Sequence, residues 1–166
     1  MESYVNIKAF QGAALTLKGY SETETSLGLA WSCKVYLENK KVGIVSNPGV
    51  NGKTTTDVPT ETQDAIVAAL KRYAYTLTLE HTGHVSEESS ESSKWFVDAI
   101  TQMIDEVARL RKLKRLAKTH LIVRQASSEN EFEFYKIAPS ESSKARLRRQ
   151  LGDDLLSFMN AEILDL

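Results

Sequence analysis

The chain holds one cysteine, Cys33, among 166 residues. That scarcity excludes an internal disulfide and a cysteine-based zinc site, and it suits a reducing compartment. No apolar run approaches the length that crosses a bilayer, and the opening residues lack the basic-then-apolar order of a secretory signal. The expectation is a cytoplasmic protein that does not enter membranes. No G-x-S-x-G sequence presents a nucleophilic serine, and no internal repeat is apparent. His81 and His84 stand three apart, but with His120 or Glu80 as the candidate additions they supply only half of a metal site. His84-Val85-Ser86 has the H-x-[ST] form of two-histidine phosphoesterases, and His120-Leu121-Ile122 does not provide the second copy. Neither a catalytic constellation nor a metal or cofactor site is expected.

One segment comes close to a phosphate-binding loop. Asn47-Pro48-Gly49-Val50-Asn51-Gly52-Lys53-Thr54 follows a strand-like run, but G-x-x-x-x-G-K-[ST] requires a glycine where Asn47 stands. It also requires a helix to begin at once and aim its N-terminus at the phosphates. Thr54-Thr55-Thr56-Asp57-Val58-Pro59 is β-branched and ends in proline, a poor start for one. A turn between sheet and helix, without a nucleotide, accounts for the same residues.

Acidic residues are also missing from residues 109–124, where Arg109, Arg111, Lys112, Lys114, Arg115, Lys118 and Arg124 fall without one Asp or Glu. On a helix, Arg111, Lys114, Arg115 and Lys118 lie on one side, beside a stripe of Leu110, Leu113, Leu116 and Ala117. A second cluster, Lys144, Arg146, Arg148 and Arg149, follows. The formal net charge of −1 hides this asymmetry: residues 1–93 carry 8 Lys+Arg against 11 Asp+Glu, and residues 94–166 carry 13 against 11. Such cations attract polyanions or an acidic protein face; a merely solvated helix face is the plainer reading.

At 42% hydrophobic residues the chain can bury a real core. Leu29, Trp31, Cys33, Val35 and Leu37 alternate with Ala30, Ser32, Lys34, Tyr36 and Glu38, which predicts a strand with one buried face and Cys33 upon it. A turn at residues 38–41 and a returning strand over 42–46 complete a hairpin, and residues 4–10 and 13–20 read as two further strands. A helix over residues 60–74 follows, with Thr60 and Gln63 as its capping box and Ile66, Val67, Leu70 and Tyr73 inward, and then a short strand. Residues 81–93 are polar and rich in Ser and Glu, the best linker candidate. Ser93 can cap a long helix carrying Phe96, Ile100, Met103, Val107 and Leu110 inward. Residues 119–125 and 131–137 form a hairpin, and residues 140–151 a helix that restarts after Gly152, capped by Asp153 or Asp154, to cover 155–164.

The fold class predicted is α+β: a meander covered by a helix within residues 1–80, a linker at 81–93, and a helix–hairpin–helix unit over 94–166, or all of it one domain. Residues 94–137 resemble the recognition-helix-plus-wing half of a winged-helix module, although residues 94–118 read as one unbroken helix and the hairpin tip is acidic. The function expected is non-enzymatic binding through the basic C-terminal surface, with nucleic acid the first partner. The alternative is a small virus- or plasmid-encoded regulator or inhibitor that docks on a protein, such as a nucleic-acid-processing enzyme.

Overall fold

Residues 4–10, expected as a strand, are helical in the computed structural model, which describes residues 4–49, 53–78, 90–128 and 131–166. Helix α1 spans Val5–Gly12, and Tyr4, Ile7 and Phe10, each three residues from the next, are buried along it. A three-residue spacing fits a helix, and a strand would have turned Ile7 to the face opposite Tyr4 and Phe10. The described chain is an α+β fold in two compact units, Tyr4–Glu106 and Val107–Leu166, and the boundary falls inside one long helix.

The first unit holds a four-stranded antiparallel sheet in the order β1-β2-β3-β4: Leu15–Thr25, Gly28–Leu37, Lys40–Asn47 and Thr55–Thr56. Between β2 and β3, Glu38 and Asn39 both take left-handed backbone, at φ 48° and 64°. Positive φ at both central residues suits the twist of a two-residue hairpin. Of the expected buried face, Cys33 and Val35 are buried, Trp31 and Leu37 are half-buried, and Leu29 is exposed. The reason is register: the β2–β3 pairing ends at Trp31 opposite Asn47, while the β1–β2 pairing continues to Thr25 opposite Gly28. That ribbon carries the exposed side chains Tyr20, Leu27 and Leu29 together with Glu22 and Glu24.

Helix α2 covers Thr60–Arg72 and buries Ile66, Val67 and Leu70, whereas Tyr73, expected inward, is exposed. Its capping box does not form. Pro59 occupies the cap position, and Gln63 is buried, donating to the Val58 carbonyl at 2.7 Å and accepting from Ser93 Oγ at 2.7 Å. Helix α3 spans Glu91–Ala117. Its start is capped by Ser90, whose Oγ accepts from the Ser93 amide at 3.1 Å; Ser93 itself is helical, and its hydroxyl is spent on Gln63.

Residues 75–78, expected as a strand, have no strand partner among the described residues and pair instead with side chains. The Thr76 amide donates to Asn6 Oδ1 and its carbonyl accepts from Asn6 Nδ2 and Gln102 Nε2 at 2.8–2.9 Å. The Thr78 amide donates to Gln102 Oε1 at 2.7 Å. Two amide side chains thus do for this segment what a neighbouring strand would do. Tyr75 is buried, accepts from Gln102 Nε2 at 3.3 Å and donates to Glu106 Oε2 at 2.9 Å.

Burial, and then the Glu106 carboxylate, hold the Tyr75 hydroxyl well above its ordinary range, with the Gln102 amide acting weakly the other way. A phenol whose proton is held more tightly in the folded chain contributes stability that is complete below the unfolded value near 10 and fades as pH rises beyond it. Urea midpoints of the wild type are therefore expected to fall more steeply above pH 10 than those of Tyr75→Phe. Parallel pH curves would refute this.

The second unit is built on a three-stranded antiparallel sheet in the order β6-β5-β7, with β5 Leu121–Gln125, β6 Phe132–Tyr135 and β7 Leu155–Phe158. Helix α4 spans Glu141–Leu151, a turn of 3-10 helix covers Gly152–Asp154, and α5 spans Asn160–Asp165. The expected helix over 155–164 is thus half strand. Asp154, expected as a cap, clamps the hairpin loop instead: its carboxylate accepts from the Ser127 amide and hydroxyl at 2.7 Å, and its carbonyl from the Ala126 amide. The chain is thereby laid along β5, and Leu155, Ser157 and Phe158 pair with it.

Candidate anion-binding surface

The apolar stripe of α3 sits where its spacing predicts, with Leu110 and Ala117 buried and Leu113 and Leu116 half-buried. On the other side Arg109, Arg111, Lys112, Arg115 and Lys118 are exposed and Lys114 is half-buried. Lys114 and Arg115 occupy the last turn, where cations favour the negative end of the helix dipole. Beyond it, Asn160 is buried and donates through Nδ2 to the carbonyls of Ala117 and His120, both at 2.7 Å. Its Oδ1 accepts from the Ile122 amide at 2.9 Å. One side chain therefore ties the end of α3 to the start of β5 and to α5, and it holds the cation-bearing turn in place.

Helix α4 presents the second cluster. Ser140 caps it, accepting from the Ser143 amide at 3.1 Å, and Leu147 is buried against Leu121 and Val123 on one face of the sheet. Arg146 and Arg149 are exposed. Lys144 donates to Glu141 at 2.7 Å, and that ammonium holds the Glu141 carboxyl below the usual carboxylate range. The Arg148 guanidinium lies 5.5 Å from the Phe158 ring centre and lines an open depression of about 480 Å³ with Asp153, Leu156 and Ser157. Because Asp153 shares that depression, it is not a purely cationic site.

Arg124 belongs to neither helix. It pairs across the strands with Phe132, as Ile122 does with Phe134, so these four side chains share the sheet face opposite Leu121, Val123 and α4. Its guanidinium carbon lies 5.6 Å from the Phe132 ring centre, within cation–π range. The structure thus brings the sequence-predicted cations into one unit at three places: the last turns of α3, the outer side of α4, and the far face of the sheet. Among the described residues, Lys144 is the one cation of the set with a carboxylate in ion-pair range. Sequence reading missed Asn160, which gives no signal in a chain read for charge. It also passed over Phe132 and Phe134, whose F-x-F alternation opposite Arg124 was the available sign.

The phosphate-loop resemblance ends in a strand. Asn47 turns back on itself, its Oδ1 accepting from the Gly49 amide at 2.8 Å, and β4 follows Lys53 where a nucleotide loop needs a helix. Gly49, at φ 79°, packs against Gly28, so that a β-carbon there would meet the Gly28 carbonyl oxygen at 3.0 Å. Cys33 is buried in β2, as its alternation predicts. His81, His84 and the Ser/Glu stretch to residue 89 lie outside the described residues. Among the described residues no three His, Cys, Asp or Glu side chains gather as metal ligands, and no helix is long and apolar enough to cross a membrane. The winged-helix resemblance departs at α3, which is one continuous helix with no turn between shorter helices before the basic run. Comparison with protein-family models, curated proteins and solved structures finds no match to this chain.

Proposed function

We propose that the protein is a non-enzymatic binding protein whose C-terminal unit engages nucleic acid through its cations. The observation that carries this reading is the unpaired run on α3: Arg109, Arg111, Lys112, Lys114, Arg115 and Lys118 occupy consecutive turns, and among the described residues no carboxylate lies within ion-pair reach of them. From residue 107 onward the chain carries 12 Lys+Arg against 8 Asp+Glu, and a surplus so concentrated draws phosphates through release of their counterions. Several of these side chains are anchored at their base by a helix whose end is fixed through Asn160, which lowers the cost of aligning them.

The test is a titration of labelled DNA and RNA at several salt concentrations, with Arg111→Ala, Lys114→Ala and Arg115→Ala combined in one variant. Affinity is expected to drop for every sequence, and the slope of log affinity against log salt to flatten by about 0.9 for each phosphate no longer neutralised. Stability should hold, because two of the three side chains are exposed and the third is half-buried. If the wild type shows no salt-dependent binding to any nucleic acid, the reading is wrong. The second reading, docking on a protein partner, is favoured by the β1–β2 ribbon, where Leu27 and Leu29 are exposed beside Glu22 and Glu24. In that case the charge variant is silent, and Leu27→Ser with Leu29→Ser removes the interaction.

A further inference from the structure

We infer that the nucleic acid taken by the C-terminal unit is single-stranded, its bases stacking on the sheet face that carries Arg124, Phe132 and Phe134. The inference rests on the nucleic-acid reading above and narrows it. Three observations support it. Phe134 lies on an edge strand with 44% of its surface exposed, unusual for so large an apolar side chain in a sheet with a covered opposite face. Arg124 sits beside it on the same face, with its guanidinium carbon 5.6 Å from the Phe132 ring centre. Flat aromatic and guanidinium surfaces are what unstacked bases pack against. Finally, the paired strands place no carboxylate on this face: Ile122, Arg124, Phe132, Phe134 and Ser157 share it, and because Ile122 is fully buried the accessible part is the outer edge at Phe134 with the half-buried Arg124 and Phe132. Glu133 pairs with Val123 on the other face, where Ser128 Oγ donates to it at 2.7 Å.

The spacing selects the kind of strand. Phe132 and Phe134 are two residues apart on one strand, about 6.7 Å along it. Bases stacked in a duplex rise only about 3.4 Å per step and keep their faces against one another. A duplex can offer this surface its phosphates but no ring face, whereas an unstacked strand can offer both. Glu131, exposed next to Phe132, sets the limit of the platform toward the hairpin tip, since a phosphate there would meet a like charge.

The experiment measures anisotropy with fluorescein-labelled oligo-dT, oligo-U and a mixed-sequence duplex carrying the same number of phosphates, for the wild type, Phe134→Ala, Phe134→Trp and the triple α3 charge variant. The wild type is expected to bind the single strands tighter than the duplex. Phe134→Ala should weaken single-strand binding about tenfold, leave duplex binding and both salt slopes unchanged, and be rescued by Phe134→Trp, whose fluorescence the bound strand quenches. Equal affinity for single strand and duplex, or no loss in Phe134→Ala, overturns the stacking inference while salt-dependent binding that disappears in the charge variant still upholds the nucleic-acid reading. Absence of binding to all three probes overturns both.

Discussion

Asn160→Leu is expected to cost the C-terminal unit about 4 kcal/mol. The substitution keeps the volume but strands three backbone groups, the carbonyls of Ala117 and His120 and the amide of Ile122, in a place where Asn160 itself is only 6% exposed. Each buried group left without a partner costs about 1–3 kcal/mol, and the leucine recovers part of that through its own apolar surface. Equilibrium urea unfolding gives the magnitude. Native-state hydrogen exchange gives the location, because the Ile122 amide should lose protection first. A loss below about 1 kcal/mol would mean that water or backbone relaxation replaces all three bonds. On the nucleic-acid reading proposed above, affinity is expected to fall with the same substitution under conditions in which the chain remains folded, since the last turn of α3 is then no longer tied to β5.

Gln102→Leu is the corresponding lesion in the first unit, with an expected loss of about 3 kcal/mol. Gln102 is 2% exposed and bonds on both sides of its amide, to the Thr76 carbonyl and the Thr78 amide and hydroxyl, and also to Glu106 Oε1 at 3.0 Å. Leucine removes the Gln102 acceptor from the Thr78 amide, whereas the Thr76 amide keeps its bond to Asn6 Oδ1. Exchange should therefore accelerate far more at Thr78 than at Thr76. Uniform acceleration of both amides would show that the segment opens as one piece and that the two side chains do not act separately.

These two residues also show where the sequence could and could not be read. Period-two alternation found β2 because a covered sheet face demands it, and the spacing of Phe96, Ile100, Met103 and Leu110 found α3 for the same reason. Both patterns are local records of burial. The α1 segment was misread because eight residues contain too few turns for helical and strand periods to separate. Strand β7 was missed because four residues, Leu155 to Phe158, are held in place by β5 and by the Asp154 clamp, both distant in sequence or visible only as side-chain chemistry. Residues 75–78 were recognised as extended, but nothing local says that their partners are an asparagine from α1 and a glutamine from α3. The candidate site divides in the same way. The cations were legible as a run without acids, and their grouping at three places in one unit was not, since it depends on strand register and on Asn160.

The burial of Cys33 has a practical consequence. It is the chain's one thiol and is 1% exposed in the middle strands of the first sheet. An alkylating reagent can reach it only when that sheet opens, so the rate of modification reads the opening of residues 4–106 and is blind to events confined to residues 107–166. Nature has in effect placed a single chemical clock in one half of the molecule. Timed alkylation alongside exchange at Ile122 can follow the two halves independently, without a label being engineered into either.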